Sequence, residues 1–126
     1  MQTIKDLTRA EEEVMQILWQ AKGWFVKDIL KKLPPPKLAY NTVSTIVRIL
    51  ESKGFVGHKA YGKTHEYFPL VSKESYRKML AQKMVKSYFN GSVKNLVSFF
   101  VQDETIDIKE ADEIIKLIEQ SKNEIK

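Results

Sequence analysis

AYNTVSTIVRILESKGF, residues Ala39–Phe55, is the stretch whose reading decides the fold. Val43, Ile46, Val47 and Leu50 recur at the spacing of one buried helix face. A solvated helix ordinarily carries Glu and Lys on its other face. This one carries Asn41, Ser44, Thr45 and Arg48, with Thr42 at the margin. Short hydrogen-bonding side chains plus one cation suit a helix lying in the major groove of DNA, where a side chain must reach a base edge without overshooting it. Asn pairs with adenine, Ser and Thr bond base or phosphate, and the Thr methyl can touch the methyl of thymine. A glutamate at Asn41, Ser44 or Thr45 would face a wall of phosphate charge. The alternative is a polar helix surface that lacks charge by chance.

The flanking sequence favours the first reading over the second. Residues 22–65 hold nine Lys or Arg (Lys22, Lys27, Lys31, Lys32, Lys37, Arg48, Lys53, Lys59, Lys63) against Asp28 and Glu51. Within a chain of net charge +5, a basic segment between acidic ones suits a polyanion partner, and by charge alone equally a solvated, solubilising surface. Upstream, LTRAEEEVMQILWQAKG reads as a helix. Thr8 and Glu11 stand in capping-box spacing, Val14, Ile17 and Leu18 form the stripe with Met15 beside them, and Gly23 is the expected stop. FVKDILKKL gives a short second helix with Val26, Ile29, Leu30 and Leu33 inward, and the prolines at 34–36 end it. The quoted helix ends near Lys53-Gly54. Its start has two candidates: Ala39 is a poor cap, and Asn41 a good one slightly later. Downstream, FVGHKAYGKTHEYFPL is a β-hairpin about Tyr61-Gly62-Lys63-Thr64, with Pro69 at an edge or an end.

Three helices followed by a hairpin is the order of a winged helix-turn-helix. The third helix is its recognition element, and the hairpin is a wing that sets Lys59 and Lys63 against the DNA backbone. From Ser72 the pattern is helical again. Tyr88, Phe89, Leu96, Val97, Phe100, Ile114 and Ile118 provide more apolar surface than one small helical hairpin can cover, so a two-fold interface is expected. The fold class is therefore mainly α with a small β-hairpin. Residues 1–71 form a winged helix-turn-helix DNA-binding domain, and residues 72–126 a helical dimerisation domain.

Other classes find little support. A hydrophobic fraction of 43% argues for a folded chain. No apolar run reaches membrane-spanning length, and the N-terminus does not read as a signal peptide. The absence of cysteine fits a reducing compartment and excludes thiolate metal sites and thiol catalysis. There is no nucleophilic triad in motif context, no phosphate-binding Gly-rich loop and no paired carboxylates in an apolar setting, so no enzyme, cofactor or small-molecule substrate is expected. His58 and His65 lie on opposite hairpin strands with only Glu66 near them. A metal needs three or four ligands, so none is expected. The aromatic cluster of Tyr88, Phe89, Phe99 and Phe100 reads as core or interface. The rival reading is a winged-helix protein–protein interaction module without specific DNA binding. It would require an apolar or acidic third-helix face, and the face here is neither.

LTRAEEEVMQILW, VKDILKKL, AYNTVSTIVRILESKGFV and EYFPLVS resemble the penicillinase and methicillin-resistance repressor family (BlaI/MecI, with the copper-responsive CopY branch). NGSVKNLVSFF resembles that family's dimerisation segment, and the resemblance covers nearly the whole chain. It implies a bacterial, cytoplasmic homodimer that represses transcription at palindromic operators in double-stranded DNA. In the β-lactam branch it further implies a membrane sensor-protease that relieves repression by cutting the C-terminal region. Carried over, the contacting positions are Asn41, Thr42, Ser44 and Thr45. Position 49, often Arg in the family, is Ile49, with Arg48 one step earlier, and Ser44 stands where some members have Arg. The family's Asn-Phe cleavage bond falls on Phe99–Phe100, with Phe99 in place of Asn. The CopY branch senses copper through C-terminal cysteines, and this chain has none.

Overall fold

The computed structural model describes residues 6–36 and 38–124. The reading of residues 1–5 and the charge of Lys37 lie outside them. Helix α1 spans Arg9–Leu18. Its capping box forms as the spacing predicts: Glu11 N–H donates to Thr8 Oγ1 at 3.2 Å, and Thr8 N–H donates to Glu11 Oε1 at 3.1 Å. The helix stops at Leu18 and not at Gly23, because tertiary bonds claim the next residues. Trp19 Nε1 donates to the Val71 carbonyl at 2.8 Å. Trp24 exchanges both of its backbone hydrogen bonds with Tyr67, at 2.8 and 2.7 Å.

Helix α2, Val26–Lys32, buries Val26 and Ile29, while Leu30 is only half-buried; Leu33, just beyond it, is buried before the prolines. Helix α3, Tyr40–Ser52, starts at the poorer of the two candidate caps. Ala39 is the N-cap with no side-chain bond, which puts Asn41 in the first turn with its amide free of capping duty. The helix closes with Gly54 at φ +85°. Gly54 N–H bonds the Glu51 carbonyl and Phe55 N–H the Leu50 carbonyl, the paired bonds of a glycine C-terminal motif.

Strands β1, Val56–Tyr61, and β2, Thr64–Pro69, pair antiparallel with Tyr61 opposite Thr64. A two-residue turn remains, with Gly62 supplying the positive φ of 64°. Pro69 ends β2, where its missing N–H costs no ladder bond. The core gathers Val14, Leu18, Ile29, Val43, Val47, Leu50, Phe55 and Val56, with Tyr67 at the wing's base.

Helix α4 spans Lys73–Tyr88. Tyr76 packs edge-on against Phe55 at 5.6 Å between centroids and lies 5.9 Å from Trp19. Its hydroxyl donates to Glu12 Oε1 at 2.9 Å. Burial, helped by that bond and by the Glu12 charge, pushes the phenol up to about 12. The chain divides into two compact units, Met1–Leu80 and Ala81–Lys126. The division falls inside α4, later than the 71/72 boundary read from the sequence, because Tyr76 and the half-buried Met79 pack on the core of the first unit.

In the second unit the end of α4 turns through Asn90 and Gly91, both at positive φ, into α5, Val93–Gln102. Ser92 caps α5, accepting from Asn95 N–H at 3.1 Å. Asp107 accepts from Glu110 N–H at 2.7 Å at the start of α6, Ile108–Glu124. Phe99 stacks edge-on with Phe89 and Phe100, each at 5.7 Å. None of the described residues of α5 or α6 is buried. No described helix is long and apolar enough to cross a membrane.

Candidate nucleic-acid interface

An α-helix turns about 100° per residue. With Val43, Ile46, Val47 and Leu50 buried, the outward arc of α3 is centred on Asn41. Ser44, Arg48 and Glu51 occupy one flank, and Thr42, Thr45 and Ile49 the other. Asn41, Thr42, Thr45 and Arg48 are exposed and Ser44 is half-buried, so the structure brings all five expected reading residues onto one surface. Arg48 Nη2 donates to Ser44 Oγ at 3.2 Å, which aims the guanidinium along the Ser44 flank.

That flank faces the wing. A groove of about 520 Å³ runs between them, lined by Tyr40, Ser44, Arg48 and Glu51 of α3 and by Lys63, Thr64, His65 and Tyr67 of the hairpin. The N-terminal end of α2 closes it with Phe25, Val26 and Lys27. Tyr40, 55% exposed at the first turn of α3, was not singled out by the sequence, because an aromatic there reads as core or as solvent-facing alike. Burial raises the Tyr67 phenol and the nearby Glu51 charge adds to that, while Arg48 opposes it.

Cross-strand partners share a face of a hairpin. The register pairs His58 with Tyr67 and Ala60 with His65, so both histidines face α3. Their rings stack at 4.1 Å, nearly parallel, and His58 Nδ1 bonds the Glu51 carboxylate. Glu51, and not Glu66, is therefore the acid beside the histidines. Glu66 pairs with Lys59 on the opposite face, against Gly23, where an added Cβ would lie 2.8 Å from its carboxyl carbon. Proximity in sequence misled here because alternation along a strand sends neighbours to opposite sides. Among the described residues no three His, Asp or Glu converge as metal ligands.

The basic residues do not all serve one surface. Lys63 stands exposed at the turn of the wing. Lys59 lies over the Tyr61 ring at 5.4 Å from its centroid. Lys53 is turned away from the outward arc of α3: its ammonium donates to Glu11 Oε1 and to the Asp6 carbonyl. Lys27, Lys31 and Lys32 of α2 are exposed, and Lys27 lines the groove beside α3.

The chain is similar to known proteins along nearly its whole length. The penicillinase repressor of Bacillus licheniformis is 24% identical over 124 residues, which is 98% of this chain and 97% of that one. The methicillin resistance regulatory protein MecI of Staphylococcus aureus (strain N315) is 25% identical over 114 residues, 90% and 93% of the two chains. Among solved structures, the DNA-binding domain of the repressor BlaI superposes with a TM-score of 0.52 at 26% identity, covering 60% of this chain and 94% of that one. The pattern of the penicillinase repressor family matches residues 7–120, so the chain belongs to that family, one of transcriptional repressors and not of enzymes.

Proposed function

We propose that the protein is a cytoplasmic, homodimeric transcriptional repressor that reads a palindromic operator in double-stranded DNA through α3 and the wing. The observation that carries the DNA reading is the outward arc of α3. Asn41, Thr42, Ser44, Thr45 and Arg48 share one surface free of carboxylates except Glu51, which is engaged by His58. Lys63 at the wing turn and the α2 lysines supply phosphate contacts on either side. DNA-binding relatives of the same family support the repressor reading.

The dimer reading rests on the second unit. A helical segment that buries none of its own side chains in α5 and α6 is not a finished fold. Tyr88, Val97, Phe99 and Ile118 are 80, 38, 52 and 54% exposed, and Phe89, Leu96, Phe100 and Ile114 are half-buried beside them. A second copy covers such a face by symmetry, and two linked reading heads gain affinity for a palindrome through effective concentration.

The same surface is compatible with release by proteolysis. Cleavage at Phe99–Phe100 by a membrane sensor-protease would cut α5 in its last turn and detach α6, with Ile114 and Ile118, from the rest of the apolar face. The bond must first become accessible through local opening of the helix. The direct test is a gel shift of the full chain against the DNA upstream of its own gene. A retarded band that excess random duplex does not compete away supports the reading. Equal competition by both duplexes refutes it.

A further inference from the structure

The two flanks of α3 differ in chemistry. On the wing side Ser44, Arg48 and Glu51 are hydrogen-bonded among themselves or to the wing. On the far side Thr42, Thr45 and Ile49 are all exposed and fall within about 60° of arc. The Thr45 hydroxyl donates back to the Asn41 carbonyl at 2.9 Å. Its one proton is thus spent within the helix, and what Thr45 keeps for a partner is its γ-methyl and an acceptor lone pair. Ile49, one turn further on, is 40% exposed on a helix whose buried face is already complete. Thr45 and Ile49 together make a short apolar strip beside the single amide of Asn41.

In the major groove only one base-edge feature rewards apolar contact, the C5-methyl of thymine. The geometry points to Thr45 and Ile49 as specificity-determining residues that read thymine methyls on the side of Asn41 away from the wing. The inference rests on the DNA-binding reading and adds to it. Asn41 supplies the donor–acceptor pair, and the Thr45–Ile49 strip selects thymine at adjoining steps by burying its methyl group. An Ile elsewhere on the surface would need no such explanation, so the test acts on the DNA methyl itself.

The full chain is used to select a duplex from a random-sequence library. The bases it protects are mapped, and the duplex is remade with deoxyuridine in place of each protected thymine. Binding followed by fluorescence anisotropy should weaken about fourfold for each buried methyl removed. Ile49→Ala should bind the thymine duplex more weakly and lose the part of the deoxyuridine penalty that belongs to the methyl it covers. Thr45→Ser, which keeps the back-bonded hydroxyl and removes only the methyl, should do the same, and Ile49→Val should retain the penalty. The inference is overturned by equal affinity for the two duplexes, by a protected site without thymine, or by a penalty that persists in full in Ile49→Ala or Thr45→Ser. If no sequence is enriched over random DNA, the DNA-binding reading itself has failed.

Discussion

Replacing Lys53 with Met should destabilise the fold by about 2–3 kcal/mol, although Lys53 sits on an exposed-looking Ser-Lys-Gly segment. Glu11 is 6% exposed. Its carboxylate accepts from the Thr8 amide and from Lys53, which ties the start of α1 to the end of the recognition helix. Without the ammonium, a nearly buried charge keeps one backbone donor. Breaking a fully buried pair costs about 3–5 kcal/mol. The Lys53 side chain is 25% exposed, so water shares the ammonium and the cost falls to or below the lower end of that range. In a unit of this size that lowers Tm by about 10–15 °C. Glu11→Gln combined with Lys53→Met should lose less than the sum of the single variants, since the neutral amide can still accept from Thr8.

The pH dependence fixes the cause. Burial acts to raise the Glu11 carboxyl, but the Lys53 hydrogen bond, the Thr8 amide and the Lys53 charge outweigh it and hold the group below its ordinary 4.5. A depressed carboxyl contributes stability above that value and loses it as pH falls through the folded-state pKa. Urea titrations followed by tryptophan fluorescence should therefore show a gap between wild type and Lys53→Met at neutral pH that closes in acid below about 4.5. A neutral-pH gap under about 0.5 kcal/mol, or one that persists unchanged in acid, would refute the reasoning.

Lys63→Ala should weaken cognate and random duplexes alike and flatten the log–log salt dependence by about 0.9 for each phosphate no longer neutralised; an unchanged slope would place the wing turn off the DNA. A chain ending after Leu80 should fold and sediment as a monomer, and a dimer there would contradict the assignment of the interface to residues 81–126. A chain ending after Val71 strips Tyr76 from Phe55 and Trp19 and should be less stable than the longer truncate by about 3 kcal/mol on chemical denaturation. Immunoblots of the host under cell-wall antibiotic should show a fragment cut near residues 97–101, whereas a derepressed promoter with only full-length chain would exclude proteolytic release.

Local chemistry carried much of the fold. Thr8 and Glu11 cap α1 three residues apart, Gly54 ends α3, and the hairpin turns at Gly62-Lys63, all signals contained within a few residues. What escaped the sequence depends on distant partners. The end of α1 is set by Val71 and Tyr67, more than forty residues away. The pairing of Lys53 with Glu11 removes one cation from the basic surface, and nothing in the local spacing announces it. Glu51 replaces Glu66 beside His58 because strand register, not proximity along the chain, decides the partner. The outward polar face of α3 was legible, since helical periodicity alone sorts Asn41, Ser44, Thr45 and Arg48 from the buried stripe. Its division into a wing-side polar flank and a far-side methyl flank required the Thr45 back-bond and the exposure of Ile49.

The central claim is that the outward arc of α3 reads DNA sequence. Its most direct test is the affinity of wild type and Asn41→Ala for a library-selected duplex and for a scrambled one, at one salt concentration. The variant should lose about 1–3 kcal/mol on the selected duplex and markedly less on the scrambled one. Equal losses on both duplexes, or a wild-type chain that does not distinguish them, would contradict the account.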